Sequence, residues 1–358
     1  MDHLSYPHIM DEILATAPYD SLIALRAASS DMRAHIDPVL AKRMQVSLPQ
    51  STMGEKEGPL LVTYGANVPI ARYPSSPSAS CSSQPDEILS TQLKQHADVL
   101  AVAHVVDLLS PAQHYRLWKL YPFLSGTHTL RYRGPDLYTT ASAKTTVSGR
   151  HIVDRFFIPL SATRIITSLD ADTPPQTKLI AYPILPQPHH TIINMWWSPT
   201  RPELSAAHHC NLVRELEIRN LVFLFRQKPS SSVTDVSPVP SEPSECAPNL
   251  QKMGMLHNLL KSGVGRIFAP DCSTALTFVG LEGVAPAALG YTDNEPSLAS
   301  IIDDMLEFLT AEGIGEKPDG SGPSHALLQG RVRFLSHQEY AQEVGEEDYD
   351  IQMMPPPS

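Results

Sequence analysis

Residues Glu215–Arg226 read ELEIRNLVFLFR, and this stretch decides the class of fold that the sequence predicts. In its first half, charged residues alternate with Leu216 and Ile218, whereas its second half is continuously apolar. A strand that is apolar on both sides is typical of a parallel sheet covered on both faces. The stretch Thr191–Trp197, TIINMWW, is a second strong strand signal. We therefore predict an α/β protein with a mostly parallel sheet.

Strand and helix patterns alternate through the C-terminal part of the chain. A helix near Leu250–Lys261, a strand at Ala275–Leu281, a helix at Leu298–Leu309 and a strand at Val332–Leu335 follow one another, and a last helix comes after them. This alternation is the βαβ pattern of a parallel sheet. A leucine-rich solenoid would use similar elements, but we find no repeat with the fixed period of roughly 20–29 residues that it requires. We expect an irregular, mostly parallel α/β domain over residues 87–344.

Shorter strand patterns precede these elements. They are Leu60–Tyr64, the apolar run Val102–Leu108, the alternating stretch His128–Arg133, the RIIT segment that begins at Arg164 and the KLIAYPI segment that begins at Lys178.

Three segments are too poor in apolar residues to fold by themselves. Residues 74–86 are predicted to be a linker rich in proline and serine, and residues 229–248 a disordered insertion of similar composition. Residues 345–358 combine acidic residues with a proline-rich end, so we expect a disordered and solvated acidic tail there.

Composition and charge exclude several classes of function. The 358 residues carry a formal net charge of -11, whereas a general binder of nucleic acid or of anionic membranes needs clustered lysine and arginine. We find no pattern of a signal peptide and no stretch apolar enough to span a bilayer. The four cysteines are widely scattered, at positions 81, 210, 246 and 272. A cytoplasmic or nuclear protein with free thiols is the simplest interpretation.

The N-terminal residues 5–46 predict three short helices. In the first helix, Ile9 and Ile13 stand four residues apart on one face, and Pro18 ends the helix. In the second helix, apolar residues recur at steps of three and four. Asp37-Pro38 is a strong start signal for the third helix, because a proline at the first helical position loses no hydrogen bond. Helices this short bury little surface alone, so we expect the unit to lean on the rest of the chain or on a partner.

This segment resembles an F-box-like domain, the module that docks a protein onto the Skp-type adaptor of a cullin-RING ubiquitin ligase. The matching positions are Pro7, the Asp11–Leu14 run, Pro18 and Asp20 before Leu22, the Leu25-Arg26 pair, Ser29 and Arg33. The sequence departs from the family at His8, where an acidic residue is usual, and at Met32, where tryptophan is common. More loosely, the WWSP and VFLF stretches that begin at Trp196 and Val222 resemble later segments of F-box-like proteins of basidiomycete yeasts.

The resemblance implies a non-enzymatic, substrate-recruiting subunit of a ubiquitin ligase, with a protein target that the sequence does not identify. It implies that the adaptor is contacted by Pro7, Ile9, Ile13, Leu14, Leu22 and Leu25. The alternative is an α/β protein-interaction scaffold, in which the helices only cap the α/β core and have no link to a ligase. No cofactor, nucleic acid or membrane partner is expected.

Patterns with catalytic or metal-binding meaning are few. Asp170 and Asp172 follow a predicted strand, as the Mg²⁺-binding and nucleophilic carboxylates do in phosphatases that resemble the haloacid dehalogenases. However, Thr173 comes one residue too early for that motif, so a degenerate phosphatase-like enzyme is only a distant alternative. His189-His190 has no partner pair at zinc-ligand spacing, and neither has His208-His209-Cys210. We predict no catalytic residue and no metal site.

Trp196 and Trp197 are the most notable aromatic pair. On a strand, their rings face opposite sides of the sheet. Core packing on both faces and exposure of one ring for partner recognition are both possible interpretations.

Overall fold

The computed structural model describes residues 7–47, 60–64, 68–73, 91, 93–109, 120–132, 162–170, 189–197, 218–229, 275–289, 291, 296–313 and 331–353. They form a mixed α/β fold with mostly parallel strand pairing, as predicted. The chain divides into two compact units. Unit 1 comprises Met1–Leu137 and Phe156–Ile165, and unit 2 comprises Tyr138–Arg155 and Ile166–Ser358.

Unit 1 begins with three helices, as predicted, but their boundaries differ. Helix α1 is Pro7–Thr16, α2 is Tyr19–Ala28 and α3 is Ser30–Ala41. The predicted helix start at Asp37-Pro38 is wrong, because α3 continues through Pro38. The break falls at Ser29, whose backbone is extended and whose hydroxyl accepts a hydrogen bond from the backbone N–H of Met32 at 3.1 Å. This N-cap fixes the helix start, whereas Pro38 removes a single donor on the exposed side of the helix.

The sheet of unit 1 starts immediately after α3. Its strands are β1 Arg43–Ser47, β2 Leu60–Tyr64, β3 Val68–Tyr73, β4 Val105–Leu108 and β5 Thr129–Tyr132, and helix α4 is Ala97–Ala101. The strand order is β5-β4-β1-β2-β3. Strand β1 pairs in parallel with β4, which pairs in parallel with β5, whereas β2 and β3 are antiparallel.

The helical unit predicted for residues 5–46 extends too far at its C-terminal end. Met44 falls within that range, but it lies in β1, where it and Val46 are buried. The alternation of buried and accessible residues in β1 has the period of a strand, and pairing with β2 and β4 satisfies its backbone. The helices of residues 7–41 are therefore joined to a sheet strand by a single residue, Lys42.

The strands of unit 2 lie side by side in the order of the sequence. They are β6 Arg164–Asp170, whose first two residues belong to unit 1, β7 His189–Trp197, β8 Ile218–Gln227, β9 Ala275–Val279 and β10 Val332–Leu335. Strands β7, β8, β9 and β10 pair successively in parallel. The strands of a solenoid would also follow the order of the sequence, but this chain has no sequence repeat of fixed period. The helices are α5 Leu298–Gly313, α6 His337–Val344 and α7 Glu346–Gln352.

Both faces of this sheet are apolar, as the stretch Glu215–Arg226 predicts. On one face, the rings of Phe223, Phe278 and Phe334 stack across three strands, with centroids 5.5 and 5.3 Å apart. The opposite face contributes a buried cluster that includes Val222 and Leu224. Trp196 and Trp197 are both buried, which favours the core interpretation over a recognition role.

The prediction of a disordered tail is wrong for residues 346–352, which form α7. Tyr349, Ile351 and Met353 pack against the buried cluster of the sheet. Glu346 and Glu347 stand in the first turn, where negative charge is favourable at the positive end of the helix dipole. The acidic composition of this segment therefore led to a wrong prediction of disorder, because three of its apolar residues pack against the sheet.

The predicted strands that fall on described residues are confirmed at β2, β4, β5, β6, β7, β8, β9 and β10, and the predicted helices at α5 and α6 are also confirmed. Four predictions lie outside the described residues: the strand that begins at Lys178, the helix Leu250–Lys261, the linker 74–86, and the insertion 229–248 beyond Pro229.

Candidate functional site

Helix α1 presents an apolar face that the described part of the chain does not cover. The side chains of Ile9 and Ile13 are 38% and 47% exposed, and they stand one helical turn apart. Among the described residues, the only other large apolar side chain with comparable exposure is Leu298. We call Ile9 and Ile13 the α1 ridge.

The helix that carries the ridge is held by few side chains. Of the α1 side chains that the structure describes, Leu14 is buried, and Met10 is partly covered. A ten-residue helix is marginal in water, and most helices of this length depend on a well-buried apolar face. Docking of the ridge onto a partner would supply the burial that α1 lacks within the chain.

The six residues predicted to contact the adaptor fall into different environments. Ile9 and Ile13 are exposed, Leu25 is half-buried, and Pro7 opens α1, its side chain lying outside the described part. For Leu14 and Leu22 the prediction is corrected, because both are buried inside the chain and are not accessible to a partner. Leu14 follows Ile13 by one residue, which turns it about 100° around the helix and away from the ridge.

An ion pair holds the helices that support α1. The guanidinium Nε of Arg26 on α2 lies 2.5 Å from the carboxylate Oδ1 of Asp37 on α3, and both side chains are mostly buried. Glu12 is exposed beside the ridge, whereas the exposed Asp11 lies on the opposite side of α1. The surface is therefore an apolar ridge with one acidic neighbour.

The carboxylate and histidine patterns do not assemble into a catalytic site within the described residues. Asp170 is the last residue of β6, and Asp172 lies outside the described part, so the phosphatase-like pair stays a prediction. His190 is exposed, and its Nδ1 lies 3.2 Å from the side-chain amide of Asn220. No group of three or more His, Cys, Asp or Glu side chains suited to a metal ion occurs in the described segments.

Asp304 has a structural partner. The hydroxyl of Tyr291 donates a hydrogen bond of 2.8 Å to its carboxylate Oδ2. Burial, and to a lesser degree this hydrogen bond and the charge of Asp304, raise the pKa of the Tyr291 hydroxyl above its usual value. Its neighbour Asp303 is exposed on the solvent side of α5.

A polar row crosses the sheet of unit 1 and was missed by the sequence analysis. Thr63, Gln45, Asp107 and Arg131 are successive register partners on β2, β1, β4 and β5. Asp107 and Arg131 form a buried ion pair, and Arg43 lies 3.6 Å from the second carboxylate oxygen of Asp107. The available signal was a charged residue inside each of two short strands, Asp107 in VVDL and Arg131 in TLRY. Because the two buried charges neutralise each other, we assign the pair a structural role.

Comparisons with known proteins do not assign this chain to a family. No family model matches the chain, and neither a curated protein nor a solved structure shows significant similarity to it. Among the helices that the structure describes, none combines the length and apolar character needed to cross a bilayer.

Proposed function

We propose that this protein is a non-enzymatic, substrate-recruiting subunit that docks through α1 onto the Skp-type adaptor of a cullin-RING ubiquitin ligase. The exposed ridge of Ile9 and Ile13 is the observation that carries the proposal. The F-box-like residues that surround it, from Pro7 to Arg33, indicate the kind of partner. The α/β remainder would present a protein target to the ligase.

The proposed mechanism needs no chemistry in this chain. A recruiting subunit raises the effective concentration of a substrate lysine near the conjugating enzyme, which accelerates transfer by proximity alone. The ridge supplies binding energy through burial of apolar surface. Full burial of an exposed isoleucine contributes about 1.5–3 kcal/mol, and Ile9 and Ile13 would contribute roughly half of that or less, because they are only 38% and 47% exposed.

The alternative function is an α/β interaction scaffold without a ligase link. It is favoured by the burial of Leu14 and Leu22 within the chain and by the direct continuation of α3 into β1, which are the properties of a helical cap. The two proposals differ in what they expect of the ridge, because a cap has no need to leave Ile9 and Ile13 exposed.

The test is a binding titration of the full chain with a purified Skp-type adaptor. We expect the wild-type chain to bind, and Ile13→Asp to weaken binding by about 30-fold or more, because a charge in an apolar contact is desolvated without a partner. The matched control is Ala15→Asp, which adds the same charge to an exposed position on the opposite side of α1. It is expected to change the affinity by no more than about twofold.

Two results would decide against the ligase proposal. One is the absence of any binding by the wild-type chain, which would leave the scaffold alternative. The other is an equal loss of binding in Ile13→Asp and Ala15→Asp, which would place the contact elsewhere. Circular dichroism of the three chains shows whether the helices remain folded.

A further inference from the structure

The C-terminal helices α6 and α7 cover one face of the sheet of unit 2. The sheet contributes the buried residues Ile166, Ile192, Val222, Leu224 and Val279 to this contact, and α6 contributes the buried Tyr340. Val344, Tyr349, Ile351 and Met353 of the C-terminal segment pack against the same cluster, but they are only partly buried. The sheet side of the contact is therefore buried except at Leu335 of β10, whereas most of the helix side is only partly buried.

A buried polar side chain in the middle of this apolar face receives the end of α7. Asn194 of β7 is fully buried, and its side-chain amide donates a hydrogen bond of 3.0 Å to the backbone carbonyl of Gln352, the last residue of α7. The last carbonyls of a helix have no partner within the helix, so Asn194 caps α7 from the sheet. A polar residue is costly at such a position unless it is hydrogen-bonded. Asn194 thus gives this face a hydrogen-bond donor for the carbonyl at the end of α7.

Further polar contacts fix the two helices. The hydroxyl of Tyr340 donates a hydrogen bond of 2.7 Å to Oε1 of Gln352, which joins α6 to the end of α7. At the start of α6, Nε2 of His337 lies 2.9 Å from the backbone carbonyl of Phe225, and Nδ1 lies 2.9 Å from the hydroxyl of Tyr349. Because a carbonyl only accepts, Nε2 carries the proton and Tyr349 donates to Nδ1.

We propose that residues 336–353 are an intramolecular ligand of this sheet face, a latch that opens while the sheet stays folded and that uncovers a receptor for a helix C-terminus. The segment is held by directional polar bonds, by the buried side chain of Tyr340 and by four apolar side chains that are only partly buried. A contact of this composition resembles a binding interface more than a domain core. This inference concerns unit 2 alone and does not depend on the proposed link to a ligase.

Hydrogen exchange of the full-length chain tests whether the latch opens. We expect the amides of α6 and α7 to exchange through a local opening at least about tenfold more often than the amides of β7, β8 and β9. If both sets exchange together, through global unfolding alone, the helices are a fixed part of the fold and the proposal is wrong.

A pair of variants in β7 tests the receptor role of Asn194. Asn194→Leu keeps the approximate volume and removes the donor, so the protection of α7 is expected to fall by about tenfold while that of β8 and β9 is unchanged. The matched control is Thr191→Val, a buried position of the same strand on the opposite face, which is expected to leave α7 unaffected. Equal effects of the two variants on α7 would overturn the proposed role of Asn194.

A labelled synthetic peptide of residues 336–353 tests the site itself. The latch variant Tyr349→Ala loses the hydrogen bond to His337 and part of the apolar contact, so its site is open for a larger fraction of the time. The peptide is expected to bind Tyr349→Ala more tightly than the wild-type chain, in proportion to the open fraction. Adding Asn194→Leu to that variant is expected to abolish the gain. Binding to neither chain, or equal binding to all three, would contradict an exchangeable ligand.

Discussion

The guanidinium Nε of Arg131 lies 2.7 Å from the carboxylate Oδ1 of Asp107, and both side chains are almost completely buried in the sheet of unit 1. The two residues are register partners on the parallel strands β5 and β4. A one-residue slip of either strand would separate the charges and turn one of them toward the opposite face. The pair therefore fixes the register of two four-residue strands that have few other distinguishing features.

Removing one partner of this pair is expected to be costly. Asp107→Ala leaves a buried guanidinium without its closest counter-charge, so we expect a loss of about 3–5 kcal/mol in the free energy of unfolding, measured by urea titration. The double variant Asp107→Leu with Arg131→Met replaces both charges by apolar groups, and its loss is expected to be smaller than that of Asp107→Ala. A double variant that is less stable than the single variant would contradict this account.

Gly280 is expected to tolerate no side chain. Its φ of 78° lies in the left-handed region, and a Cβ placed there would stand 2.1 Å from Nε2 of His337. Gly280→Ala is therefore expected to lower the free energy of unfolding by about 2 kcal/mol and to displace His337 from the carbonyl of Phe225. The control is Gly283→Ala, where a Cβ meets no atom within 4 Å, and its effect is expected to stay within about 0.5 kcal/mol. If both substitutions change the free energy of unfolding equally, the prediction is wrong, and backbone movement relieves the strain and crowding at Gly280.

Two neighbouring residues of α1 are expected to separate stability from docking. Leu14 is buried, so Leu14→Ala is expected to reduce the stability of the helical region by about 2–3 kcal/mol. Ile13 is 47% exposed, so Ile13→Ala is expected to change stability by less than about 0.5 kcal/mol while weakening adaptor binding. Chemical denaturation followed by helical circular dichroism measures the first effect, and the binding titration measures the second. If Leu14→Ala leaves the chain stable and Ile13→Ala destabilises it, then Ile13 is the structural residue, and the assignment of Ile13 to an exposed docking ridge is wrong.

The first turn of α6 is expected to loosen in acid. The backbone N–H and the hydroxyl of Ser336 donate to the Glu339 carboxylate, and these hydrogen bonds lower the pKa of Glu339. A lowered pKa in the folded state stabilises the fold above the unfolded pKa, about 4.3 for glutamate, and this contribution is lost as the pH falls through the folded pKa. A hydrogen bond and the opposite charge of Arg333 lower the pKa of Glu343 in the same direction.

The measurement is the exchange protection of α6 at pH 7 and at pH 3, corrected for the intrinsic rates. We expect Glu339→Gln to reduce protection at pH 7 and to have a smaller effect at pH 3, where a larger fraction of the wild-type carboxyl is protonated. Glu307→Gln on the exposed side of α5 is the control, and it is expected to leave α6 unchanged at both values. A reduction of equal size at both pH values would exclude the carboxylate charge as the cause.

The positions of the strands could be predicted because the relevant pattern is local. The apolar run from Val222 to Phe225 and the TIINMWW stretch read as strands without any knowledge of their neighbours, and both are buried strands in the structure. The strand order could not be predicted, because it depends on which strand edges meet after the chain has crossed over. The buried pair Asp107 and Arg131 was missed for the same reason, since the two residues are 24 positions apart and meet only through the parallel pairing of β4 and β5.

The candidate site was predicted in part. Helical spacing places Ile9 and Ile13 on one face, but it does not indicate that Leu14 and Leu22 turn inward against the chain. The helix boundary at Ser29 was missed because Asp37-Pro38 is the stronger local signal, and the burial of Ile36 and Leu40 on one continuous helix outweighs it.

The sequence by itself determined an α/β protein with a mostly parallel sheet and three N-terminal helices, because periodic patterns of apolar residues specify elements one at a time. Only the tertiary structure decided which of their apolar residues remain exposed, and that an acidic segment predicted to be disordered folds over the sheet as α7. Glu346–Gln352 has too few apolar residues to form a stable helix alone. It folds because its apolar side chains pack against a cluster that includes Ile192, Leu224 and Val279, and because Asn194 donates a hydrogen bond to the carbonyl at its end. Burial and capping by distant residues are properties of the folded chain, and they are not visible in any single stretch of its sequence.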